Sequence, residues 1–69
     1  MPSVRVNGQL RELPAHATVA DAVAASGAAQ DARGLAAALD GEVVPRGEWE
    51  RTRVRDGQRI EVLQAVQGG

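Results

Sequence analysis

Residues 60–69 read IEVLQAVQGG. Ile60 and Val62 alternate with Glu61, Leu63 and Ala65. A period of two puts Ile60 and Val62 on one face of a strand and Glu61, Leu63 and Ala65 on the other. This is the longest and most regular alternation in the chain, so it predicts the principal strand of a sheet. The strand runs directly into Gly68-Gly69, a pair with no side chains. Either that pair is a frayed end, or it is the working part of the molecule.

The rest of the sequence bears on that choice. The chain has 69 residues, a formal net charge of −1 and no cysteine. That length supports one domain, expected over residues 1–66, with 67–69 as a flexible tail. The apolar set is mostly Val, Leu and Ala, with a single Ile and a single Trp, and neither Phe nor Tyr. Such a core leaves no room for an enclosed active-site cavity. The lack of cysteine excludes disulfides, thiol chemistry and cysteine-based metal sites. Near-neutral charge without a basic cluster argues against a nucleic-acid partner. No apolar run is long enough to span a membrane, and MPSVRV lacks the apolar stretch of a signal peptide. A cytoplasmic protein is the expectation. Every basic side chain is Arg, so the chain offers no lysine for an isopeptide bond.

Upstream, VRVNGQLREL (residues 4–13) reads as two short strands around Asn7-Gly8. Asn-Gly is the strongest short hairpin signal, because both residues tolerate the positive φ of a type I′ turn. Val4 and Val6 alternate with Arg5, which predicts one buried and one wet face. Pro14 closes this unit. ATVADAVAASG (residues 17–27) predicts a helix. Thr18 serves as N-cap with Asp21 three positions on as its capping-box partner. Val19, Ala22 and Val23 form a narrow apolar stripe, and Gly27 suits the position after the helix end. AAQDARG (28–34) is a polar connector. LAAALDGEVV (35–44) is a second hairpin around Asp40-Gly41, stopped by Pro45. Leu35 to Leu39 has the alanine content of a helix, but the turn and the β-branched pair Val43-Val44 favour a strand. A turn at Asp56-Gly57 leads into the last strand.

The order is therefore β-β-α-β-β-β. A helix between two hairpin units must cross one face of the sheet. A long last strand paired beside the first makes the sheet mixed. The expected class is α+β: a β-grasp, ubiquitin-like fold of about five strands with one helix on one face.

Several pieces then fall in a recognisable order. Val43-Val44-Pro45-Arg46 ends a short hairpin, and Trp49 stands three residues beyond the Arg. Val54-Arg55-Asp56-Gly57 makes a turn, Ile60-Glu61-Val62 a strand, and Gly68-Gly69 the end. VRVNG (4–8) and TVADAV (18–23) precede them. This combination resembles the ThiS family, the sulfur carrier proteins of thiamine biosynthesis, over nearly the whole chain. One departure is Gln58, where the family often carries an acid in the turn.

The resemblance implies a role for the end of the chain. The Gly69 carboxylate would be adenylated with ATP by a ubiquitin-activating-type adenylyltransferase (ThiF-like). Sulfur from a donor such as a cysteine desulfurase would replace AMP, and the thiocarboxylate would serve thiazole synthase (ThiG-like). The chain would be a protein co-substrate, not an enzyme, binding no cofactor or metal itself. Gly68 and Gly69 would be the reactive residues. Glycine fits such a role, having no Cβ and reaching most φ/ψ values, so it threads a narrow channel. Leu63, Ala65, Val66 and Gln67 would meet the partner, because in ubiquitin-like folds the open face near the tail is where activating enzymes dock.

For the remaining residues the plainer readings hold. Trp49 is expected as a lid over the edge of the core and His16 as a solvated loop residue. Arg46 is either a partner contact or a solvated charge. Alternative functions are the small subunit of molybdopterin synthase, a carrier for cysteine or methionine synthesis, or a ubiquitin-like binding module whose tail is inert.

Overall fold

A computed structural model describes residues 1–27 and 34–64 of the chain. Residues 28–33 of the polar connector and residues 65–69 lie outside the described residues.

Asn7 and Gly8 set the first hairpin. Both take positive φ, at 51° and 83°, as a type I′ turn requires. The turn joins β1 (Ser3–Val6) to β2 (Gln9–Glu12), which pair antiparallel with Val6 opposite Gln9. Val4 and Val6 are buried and Arg5 is exposed, as the alternation predicts. β2 is exposed along its length, and buried Leu13 follows it.

The helix α1 spans Val19–Ala25. The Thr18 N–H donates to Asp21 Oδ2 at 2.8 Å, closing the capping box that the sequence predicts. Val19, Ala22 and Val23 are fully buried beneath it. Gly27, at φ 84°, ends it. A helix of two turns is not stable alone; it leans on β1, β3 and β5.

Asp40 and Gly41 repeat the first device, at φ 49° and 84°. They join β3 (Leu35–Leu39) to β4 (Glu42–Val44), antiparallel with Leu39 opposite Glu42. The alanine-rich segment is thus a strand, stabilised by pairing on both sides rather than by its own propensity. A short 3₁₀ turn, Arg46–Glu48, follows Pro45. It delivers Trp49 to the core edge, where the ring is buried and Nε1 donates to the Val44 carbonyl at 2.8 Å.

The last strand, β5 (Arg59–Gln64), enters the centre of the sheet. The strand order is β2-β1-β5-β3-β4. β5 runs parallel to β1 and antiparallel to β3. Its start is anchored from both sides. Ser3 N–H donates to Asp56 Oδ1 at 2.7 Å, and Gly57 N–H donates to the Ser3 carbonyl at 2.8 Å. On the other side, Arg59 N–H donates to Asp40 Oδ1 at 2.9 Å. Ile60, Val4, Val19 and Val23 form the centre of the core. Burying each such side chain contributes about 1.5–3 kcal/mol. The mixed sheet with one helix on one face is the architecture expected from the sequence.

Candidate functional site

The functional geometry begins with β5. Ile60 and Val62 point under the helix and are buried, whereas Glu61 and Leu63 point to the open face of the sheet. Leu63 keeps 68% of its surface in solvent. The expectation that it stands on the helix-free face therefore agrees with the structure. Ala65, Val66, Gln67, Gly68 and Gly69, the other candidate residues, lie outside the described residues.

Cross-strand register shows what surrounds Leu63. Directly opposed residues share a face. Ala36 faces Leu63, and Ala38 faces Glu61. On the next strand Val43 faces Ala38. Val43 is 71% exposed. Leu63, Ala36, Ala38 and Val43 thus form an apolar strip across β5, β3 and β4, near the end of β5. Leu10 lies on the same face, since it is opposed to Arg5, but Arg5 and Arg59 separate it from the strip. Leu63, Val43 and Leu10 are three of the four large apolar side chains exposed among the described residues. Their gathering on one face is more than the scatter expected of ordinary surface leucines. Sequence reasoning singled out Leu63 and missed Val43. The signal was present in the hairpin: with Val44 directed inward, period two directs Val43 outward.

The root of the C-terminal segment is held by Asn7. Its Oδ1 accepts the Val62 N–H at 2.7 Å, and its Nδ2 donates to the Val62 carbonyl at 3.2 Å. The residues are 55 positions apart in sequence.

The other singled-out residues have ordinary settings. Arg46 is exposed, and its guanidinium carbon lies 5.4 Å from the centre of the Trp49 ring. His16 is exposed in a turn at φ 65°. Among the described residues no group of three His, Cys, Asp or Glu side chains is placed to hold a metal ion, and no helix is long and apolar enough to cross a membrane.

Comparison with known proteins adds to this geometry. The model of the ThiS family matches residues 4–69. The chain belongs to the ThiS family. The crystal structure of the thiamine biosynthesis protein ThiS from Geobacter metallireducens superposes on this ThiS-family chain with a TM-score of 0.74. It is 29% identical, and the match covers 97% of this chain and 99% of that one. A solution structure of a thiamine biosynthesis protein from the same organism has a TM-score of 0.71 at 29% identity, covering 97% and 87% of the two chains. None of the curated proteins matches the sequence.

Proposed function

We propose that this ThiS-family protein is the sulfur carrier of a thiazole-forming pathway in thiamine biosynthesis, and that the Gly69 carboxylate is the group that carries the sulfur. The supporting observation is the extent of the family match, which runs through Gly68 and Gly69 to residue 69. The similarity to proteins of thiamine biosynthesis favours this pathway over the other carrier roles.

The chemistry follows from the weakness of a carboxylate as an electrophile. In a ubiquitin-activating-type partner, a Gly69 carboxylate oxygen attacks the α-phosphorus of ATP and pyrophosphate leaves. The acyl carbon now bears AMP, a good leaving group. The outer sulfur of a cysteine-derived persulfide attacks that carbon, AMP departs, and a thiol cleaves the remaining S–S bond to leave the thiocarboxylate. Thiazole synthase then receives the sulfur. The carrier contributes a docking face, the Leu63–Val43 strip, and a terminus slim enough to enter another protein's site. ATP is bound by the partner.

The test is intact mass after incubation with the activating enzyme, ATP and a persulfide donor. The full chain gains the mass of one sulfur in place of one oxygen. A chain lacking Gly69 stays folded and gains nothing. Equal loading of the shortened chain would sink the assignment of Gly69, and no loading of either chain would sink the carrier reading.

A further inference from the structure

The bonds between Asn7 and Val62 have the geometry of a ladder rung made by a side chain. Along the β1–β5 interface, Arg5 N–H donates to the Gln58 carbonyl at 3.0 Å and Asn7 N–H donates to the Ile60 carbonyl at 2.9 Å. Every second residue of β5 therefore presents its backbone to β1. In a continued parallel ladder, Val62 N–H would donate to the Asn7 carbonyl, and the Val62 carbonyl would accept from the N–H of residue 9. That continuation is impossible, because β1 turns at Asn7-Gly8 and residue 9 belongs to β2. The Asn7 carboxamide supplies both missing partners, Oδ1 for the N–H and Nδ2 for the carbonyl. One residue thus supplies a left-handed turn position and the final rung. By the same parity, Gln64 is the next residue to face this side, and β1 is no longer beside it.

We infer that Asn7 is a positioning residue for the end of β5: its carboxamide supplies the last β1-side hold on that strand and so fixes Val62 to Gln64, the residues from which the reactive segment starts. This rests on the carrier reading above. Leu63 follows Val62 directly and belongs to the docking strip. Fixing the Val62 backbone fixes the docking face and the root of the reactive segment relative to one another. A partner that engages the face then receives the reactive segment from a fixed starting point, the end of β5 at Gln64. Without the rung, β5 past Ile60 is held only by β3, and in the docked complex that starting point takes more positions. Such a loss lowers the fraction of docked carriers whose carboxylate meets ATP, which is a loss of orientation rather than of affinity.

Two variants test it. Asn7→Gly keeps a residue suited to positive φ but removes both side-chain bonds. Asn7→Asp keeps an acceptor for Val62 N–H and places its second oxygen against the Val62 carbonyl, acceptor to acceptor. Amide hydrogen exchange and steady-state adenylation by the activating partner are measured on the full chain. In Asn7→Gly, protection of the Val62 amide falls about tenfold, the loss of roughly one hydrogen bond, while the Ile60 amide keeps its protection. The adenylation kcat falls about tenfold with KM within about twofold of the parent. Asn7→Asp retains more Val62 protection than Asn7→Gly and shows a comparable loss of kcat. Unchanged Val62 protection in Asn7→Gly overturns the rung. Lost protection with unchanged kcat overturns the positioning role and leaves a structural one. If the unmodified chain is not adenylated at all, the carrier reading fails, and the exchange measurement still decides the rung.

Discussion

Val62 and Leu63 are neighbours in the chain and stand on opposite sides of the sheet, the first 7% exposed beneath the helix and the second 68% exposed on the open face. Substitutions at the two positions therefore separate stability from recognition. Val62→Ala leaves a cavity in the core and lowers stability by about 1–3 kcal/mol, with little effect on affinity for the activating partner in the folded fraction. Leu63→Arg changes stability by no more than about 0.5 kcal/mol and weakens that affinity. Thermal denaturation and a binding titration on both variants check the pair. Unfolding by Leu63→Arg would show that the face assignment is wrong.

Val43 extends the same argument to an edge strand. It is opposed to Ala38, which is opposed to Glu61, the chain neighbour of Leu63. If the partner covers the strip as a unit, Val43→Asp weakens docking together with Leu63→Arg while leaving the melting temperature close to the parent's. A double variant that loses less affinity than the sum of the singles would show that the two side chains share one contact surface. Full affinity in Val43→Asp would confine docking to the β5 side of the sheet.

What was legible in the sequence was whatever depends on near neighbours. The Asn7-Gly8 and Asp40-Gly41 turns, the Thr18–Asp21 cap and the alternation at Ile60–Leu63 each have a local physical cause, and each is where it was expected. The hidden features depend on register between distant segments. Val43 joins Leu63 only once β3 is threaded between β4 and β5. The Asn7 rung spans 55 residues, and Asn7 already had a sufficient local explanation as a turn residue. Trp49 was expected as a lid, but its acceptor on Val44 follows from how the 3₁₀ turn folds back.

That acceptor gives a third prediction. The Trp49 Nε1–H satisfies the carbonyl of Val44, and both residues are buried. Trp49→Phe keeps an aromatic lid and removes the indole donor, leaving the carbonyl with the ladder bond from Ala37, its directly paired residue. Losing one hydrogen bond of this kind costs about 0.5–1.5 kcal/mol. In a domain of this size each kcal/mol shifts Tm by about 4–8 °C, so the effect is readily seen by calorimetry. A variant melting with the parent would mean that water replaces the indole at that carbonyl.

Gln58 joins two turns, reaching Asp40 18 positions away in the chain. Its Oε1 accepts the Arg55 N–H at 2.6 Å, and its Nε2 donates to Asp40 Oδ2 at 3.1 Å. Asp40 in turn accepts the Arg59 N–H, so this link reaches the start of the central strand. An acid at position 58 could still accept from Arg55, but it has no proton to offer Asp40 at neutral pH. Gln58→Glu therefore exchanges a hydrogen bond for two facing carboxylates. Asp40 is exposed and Gln58 half-buried, so solvent screens the repulsion, and the expected loss is about 0.5–1.5 kcal/mol. Salt separates its two parts: raising ionic strength from about 0.01 M to 1 M shortens the Debye length from roughly 30 Å to 3 Å, which removes the repulsion and leaves the lost bond. Asp40→Asn in the Gln58→Glu background restores a donor opposite the new acid and recovers most of the stability. Denaturant midpoints for the single and double variants at low and high salt read both effects. A Gln58→Glu protein as stable as the parent at low salt would show that Asp40 turns away from position 58 in solution.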